Sequence, residues 1–197
     1  MKKIIYSAAL LMALQACAPA DPDVAEVNRF LTDLSQVYLC DFKGPDADDF
    51  MKVDFAVKRL LIDNPEAFQK SGNDLSVDAG KVHEMAAKYF DYPISQDQSS
   101  NDVDYTKDGK YIIMPISDSQ YSFSKGQLKA KDSSGDTLLY NVDVYNCSAG
   151  WKGDINSLPE EWAAQDAGNV PKLYKKMRAV LLRKDGGLRV ISYMVQQ

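Results

Sequence analysis

The hydrophobic pattern of this chain changes period once, and that change constrains its fold more than any other feature. Up to about residue 90, apolar residues recur every three or four positions; beyond about residue 110 they tend to alternate with polar ones. A chain that is helical first and extended later does not supply the helix-between-strands order of a parallel sheet. It points instead to an α+β domain, with helices packed on an antiparallel sheet.

The helical half reads as three segments. Val24, Val27, Phe30, Leu31, Leu34, Val37 and Tyr38 form one apolar stripe, predicting a helix over about 22–40 that starts at Asp21-Pro22 and ends before Lys43-Gly44-Pro45. A second helix is expected over about 47–63, opened by Asp46, Asp48 and Asp49, which suit the positive end of a helix dipole, and stopped by Asn64-Pro65. A third, over about 77–90, is capped by Ser76 or Asp78 and carries Val82, Met85, Ala86, Tyr89 and Phe90 inward. Gln96 to Asp104 is polar and reads as a loop.

The extended half predicts strands over about 111–116, 121–131, 137–146, 173–184 and 188–195, joined into one antiparallel, curved sheet. Thr137–Asn146 is the clearest, with Leu138, Tyr140, Val142 and Val144 on one face and Asn141 and Asp143 on the other. Leu173–Lys184 also fits a helix, but the turn Asp185-Gly186-Gly187 and the run after it favour a closing hairpin. Residues 148–171 form an excursion with a short helix around Pro159–Ala164. This element order is loosely similar to the cystatin-like and NTF2-like rolls, in which helices fill the concave side of a curved sheet; the likeness rests on order alone.

The N-terminus carries an address. Met1-Lys2-Lys3 precedes an apolar run, Ile4 to Ala16, too short to span a bilayer as a stable helix. The run ends in Leu14-Gln15-Ala16-Cys17, which resembles the lipobox of bacterial lipoprotein precursors. The resemblance implies that residues 1–16 are a signal peptide and that Cys17 is lipidated. It also implies that 17–21 is a tether and that 22–197 is a single domain held at the membrane by acyl chains, each buried CH₂ contributing about 0.8 kcal/mol. Ala18, after the anchor, resembles family members sent to the outer membrane facing the periplasm. The alternative is ordinary secretion with cleavage after Ala20, at Ala18-Pro19-Ala20, giving a soluble periplasmic or secreted chain.

Charge and cysteines narrow the functions. The formal net charge is −5, from 28 acidic and 23 basic residues, and this acidity argues against nucleic acid as a partner. With Cys17 consumed or removed, Cys40 and Cys147 remain as an even pair in an exported setting, which predicts a disulfide contributing roughly 4–5 kcal/mol by the chain-entropy model.

No catalytic set assembles from the sequence. His83 is the only histidine and lies beside the apolar stripe of the third helix, where it reads as a boundary residue; with paired cysteines it cannot complete a zinc site. Ser122-Phe123-Ser124-Lys125 fits an SxxK pattern without its companion motifs and falls on a predicted strand. Asp102, Asp104 and Asp108 hint at a calcium loop, but Lys107 stands where such a loop needs glycine. No cofactor is implied. Trp151 and Trp162, in the irregular excursion, are the candidate ligand-binding residues, against the alternative that both cap the open end of the sheet. The expected function is a non-enzymatic binding or interaction module of the cell envelope, its partners being the membrane through Cys17 and an envelope protein or cell-wall component. The rivals are a carboxylate-dependent hydrolase of cell-wall polymer and an inhibitor or immunity-type protein that blocks an envelope hydrolase.

Overall fold

The computed structural model describes residues 23–44, 47–115 and 120–196; the expected signal segment 1–16, the expected tether 17–21 with Cys17, and Asp46 lie outside them. Three helices precede the main strands: α1 (Val24–Gln36), α2 (Asp49–Asp63) and α3 (Ala79–Tyr89). Asp23 starts α1 by accepting from the Ala25 amide at 3.2 Å, and Asp48 starts α2 by accepting from Met51 at 2.8 Å. The strands are β1 (Phe42–Lys43), β2 (Gln69–Ser71), β3 (Asp74–Asp78), β4 (Val103–Tyr105), β5 (Lys110–Ile113), β6 (Gln120–Lys131), β7 (Thr137–Ser148), β8 (Lys172–Lys184) and β9 (Gly187–Val195). A 3₁₀ turn (Pro159–Glu161) and the short α4 (Trp162–Gln165) fill the excursion between β7 and β8.

The domain is α+β, but it has two antiparallel sheets where one was expected. The larger runs β1-β9-β8-β7-β6 and the smaller β2-β3-β5-β4. The difference lies in β5, which pairs with β3 and β4 instead of joining the C-terminal strands. Its partners are strands of three and five residues, too short to show an alternation that a single sequence reveals. The β8–β9 hairpin matches its expected turn: Asp185 and Gly186 both take positive φ, as a two-residue type I′ connection requires.

One main core runs through all three long helices and both sheets, with Val53, Phe55 and Val57 of α2, Val82 and Met85 of α3, and Val77, Val103, Tyr111 and Ile113 of the smaller sheet in the same cluster as α1 and the larger sheet. Leu138, Tyr140, Val142 and Val144 of β7 face Val27, Leu31 and Leu34 of α1, with Met177, Ala179, Leu181, Val190 and Tyr193 beside them, all buried. Full burial of side chains like Leu31 and Leu34 contributes up to about 1.5–3 kcal/mol each. The approach is close: a Cβ at Gly126 would sit 2.6 Å from Leu31 Cδ1. It also lets α1 cover the sheet edge. Asn28 Oδ1 accepts from the Gly126 amide at 2.8 Å and Thr32 Oγ1 from the Ser124 amide at 3.0 Å, so edge-strand donors that would otherwise be buried unpaired are satisfied.

The three helices are tied by a buried polar knot. Arg59 of α2 donates to Asp63 at 2.9 Å through Nε and to Gln36 at 2.6 Å, and lies 3.2 Å from Asp33 of α1. Tyr89 of α3 donates to Asp33 at 2.8 Å. Burial raises the Asp33 pKa, against the pull of Arg59, and burial with the neighbouring Asp33 pushes the Tyr89 phenol up.

Candidate binding cleft

The residues singled out from sequence fall into structural roles. Trp162 is 1 % exposed, and its ring meets Phe123 at 5.3 Å and Tyr145 at 4.9 Å, edge-on to both. Trp151 stacks on Phe123 at 5.0 Å and is half-buried. Lys125 caps the group, its ammonium 5.5 Å from the Trp162 ring centre, and burial lowers its pKa. These aromatics form a second small core on the outer side of β6 and β7. Trp162 has no free face to offer a ligand.

The expected Cys40–Cys147 staple is not formed in the structure. Cys40 is exposed between α1 and β1, whereas Cys147 is buried in the aromatic core, where its thiol donates to the Tyr121 carbonyl at 3.5 Å. Burial, then the nearby Asp166, pushes the Cys147 thiol up to about 11. Ser122, the first residue of the SxxK match, donates to Asn146 at 2.8 Å. Three positions apart on a strand, Ser122 and Lys125 occupy opposite faces.

His83 has a partner that sequence did not reveal. Its Nε2 lies 2.7 Å from Asp97 Oδ1, and Asp97 also accepts from Tyr111 at 2.5 Å and Tyr105 at 3.3 Å. Desolvation works against the Asp97 charge, but the Tyr111 and His83 hydrogen bonds prevail and lower its pKa. The Gln96–Asp104 segment, read as a free loop, is anchored in the same way by α2. Asp49 accepts from the Ser95 and Gln96 amides at 3.0 and 2.8 Å and from Lys52 at 2.9 Å, and Asp54 accepts from Ser100 at 3.0 Å. So Asp49, expected at a helix start, also fastens a loop 46 residues away. Asp102 pairs with Lys58 at 2.6 Å; among the described residues no three metal-ligating side chains converge.

The concavity that remains lies elsewhere. A cleft of about 880 Å³ opens between the end of α1, the outer side of α2 and the β4–β5 pair, lined by Tyr38, Leu61, Ile62, Ile112, Met114 and Lys58 among others. A second lobe of about 270 Å³ adjoins it through Val37, Tyr38 and Asn101 and reaches Cys40, Asp41 and Phe50. The larger volume falls in the range of small-ligand sites, with walls more apolar than polar and with Lys58, Asp74, Asp102 and Asp104 among the lining residues. Exposed Ile62 (52 %) and Met114 (72 %) stand at its rim.

Tyr38 borders both lobes, with Val37 and Asn101, and its backbone is unusual. The Tyr38 amide bonds to the Ser35 carbonyl and the Leu39 amide to the Leu34 carbonyl, both at 3.1 Å, while Leu34 and Leu39 are buried. This is a Schellman ending in which the left-handed position, normally glycine, holds a tyrosine at φ 54°. Left-handed backbone costs about 1–2 kcal/mol for a residue with a side chain, so glycine would serve the helix end better. Sequence periodicity placed Tyr38 on the helix stripe; the missing glycine at a helix end was the only signal that it lay beyond.

Comparison with protein-family models, with curated proteins and with solved structures gives no match.

Proposed function

We propose that this chain is a lipid-anchored cell-envelope protein whose folded domain is a non-enzymatic binding module, with the two-lobed cleft bordered by Tyr38 as its binding site. The observation that carries the binding reading is Tyr38 itself. A bulky side chain is kept at a left-handed position, and that side chain walls both lobes of the cleft. The Leu14-Gln15-Ala16-Cys17 motif supports the anchor, with the outer membrane as its address.

The larger sheet, on this reading, is curved around α1. Register shifts in the β6–β7, β7–β8 and β8–β9 pairings bend strands in this way, and the Tyr193 phenol of β9 lies against Ser124 of β6 across two intervening strands. The face that meets α1 is filled by apolar side chains, which leaves no place there for the paired acids of a polymer hydrolase.

Two measurements test the proposal. Metabolic labelling with a palmitate analogue should mark the wild type and not Cys17→Ser; equal or absent label on both removes the anchor. N-phenyl-1-naphthylamine, a neutral apolar dye, should brighten on binding the wild type and lose that signal with Tyr38→Gly. No change between the two removes the cleft.

A second reading has its own observation. The 149–170 excursion is acidic and internally hydrogen-bonded: Asp154, Glu160 and Glu161 are exposed, Asp154 O accepts from Trp162 Nε1 at 3.2 Å, and Gln165 donates to Ser157 at 2.8 Å. A preorganised acidic loop suits an inhibitor of an envelope hydrolase. Loss of a captured hydrolase from envelope extracts on Glu160→Gln/Glu161→Gln would favour it over the cleft; unchanged capture would remove it.

A further inference from the structure

The charges around the cleft say what kind of partner it fits, given the binding reading above. Among the described residues its one lining cation, Lys58, is already engaged: Asp54 lies 2.9 Å away and Asp102 2.6 Å away. Asp74 and Asp104, on the rim of the larger lobe, are exposed and have no ion-pair partner among the described residues. Asp41 lies on the smaller lobe, exposed, one oxygen accepting from the Val195 amide at 3.1 Å. The surrounding half of the chain reinforces this sign. Residues 23–115 carry 18 acidic and 10 basic side chains, whereas 120–197 carry 8 and 11. Field lines from such a half converge in a cleft with apolar walls.

We infer that the cleft docks a segment of a protein partner in which Lys or Arg alternates with large apolar side chains. The apolar positions would fill the two lobes bordered by Tyr38, against Ile62, Ile112 and Met114, and the cations would face Asp74, Asp104 and Asp41. A compact monocation could satisfy one lobe only, because Asp74 and Asp104 line the larger lobe and Asp41 the smaller one. An extended chain reaches both. The same field repels anionic headgroups and acidic polymers, so neither is a partner for the cleft.

The test uses the full chain and dye-labelled short peptides, one alternating Arg with Leu and one alternating Glu with Leu, followed by fluorescence anisotropy. The Arg–Leu peptide should bind, the Glu–Leu peptide should not, and Asp74→Asn/Asp104→Asn should weaken binding about tenfold, as high salt should. Both carboxylates are exposed, so the double variant keeps its fold, which circular dichroism checks. Equal binding by the double variant, or by the acidic peptide, overturns the inference. If the neutral dye enters the cleft but the Arg–Leu peptide does not bind, the basic partner is wrong and the cleft stands; if neither binds, both fail.

Discussion

The two sheets of this protein are built by different means. The larger has strands of 9 to 13 residues beyond its short edge strand, and one helix presses three fully or nearly fully buried side chains onto it. The smaller has strands of three to five residues; it sends Val77, Val103, Tyr111 and Ile113 into the common core and adds polar fastenings, with Asp49, Asp54 and Asp97 holding the segment that leads into β4. Apolar packing is non-directional and spread over many contacts, whereas each polar fastening is one carboxylate accepting from two or more donors. The cleft opens on the second region, where the surface is not consumed by packing. A regular core and a candidate site therefore occupy separate parts of one domain, as expected when binding groups are carried on a rigid support.

That contrast can be broken at several points. The largest effect belongs to the aromatic core on the outer side of β6 and β7. Trp162→Ala should cost about 3–5 kcal/mol, read from the denaturant midpoint at unchanged slope. A midpoint within error of wild type would return Trp162 to the role of an exposed binding platform. Next comes the α1–β6 contact, where Gly126→Val drives a side chain into Leu31 and should cost about 1–3 kcal/mol. No change there would mean that α1 does not seat on the sheet as described.

The polar region should respond to pH where the larger sheet does not. Burial disfavours the Asp49 charge, but the Ser95 hydroxyl, Lys52 and the Ser95 and Gln96 amides outweigh it and lower the pKa from 3.8 to about 2. A depressed carboxylate contributes stability that is complete above its unfolded pKa and is lost as pH falls through the folded value, here between about pH 4 and pH 2. With solvent screening that contribution is about 1–2 kcal/mol. Asp49→Ala should lose it at neutral pH, and urea midpoints of variant and wild type should converge near pH 2. Parallel curves down to that pH would refute the fastening.

Two smaller effects sharpen the assignment of the cleft and the thiols. Tyr38→Gly should stabilise the fold by up to about 1 kcal/mol, because glycine tolerates the left-handed backbone, while abolishing dye binding. Stabilisation with binding intact would leave Tyr38 without a functional reason. Without reductant, Cys40 should react quickly with iodoacetamide and Cys147 only at the rate of local opening, since its thiol is buried and poorly ionised. If neither is alkylated even in denaturant until reductant is added, the two are bridged and the sequence expectation is right.

How much of this was legible beforehand follows from the range of each interaction. The ends of α2, α3 and the four long strands lie within a few residues of where periodicity and turn residues placed them, since those signals act between near neighbours. The short strands β1 to β4 were not visible, because two to five residues cannot display a period and their pairing depends on partners distant in sequence. His83 could be read as a boundary residue, but Asp97, Tyr105 and Tyr111 meet it only through the fold.

The chain alone determined the order of helices before strands, the β8–β9 turn at Asp185-Gly186, and the acidic balance of the N-terminal half. Each is a property of composition or of neighbours along the backbone. Tertiary structure alone decided that β5 belongs to a second sheet, that Trp162 is core, that the thiols of Cys40 and Cys147 sit in different surroundings, and that Tyr38 lines both lobes of a cleft. Those outcomes depend on which distant surfaces meet, and the free energy of burial that selects them is summed over the whole domain rather than written at any one position.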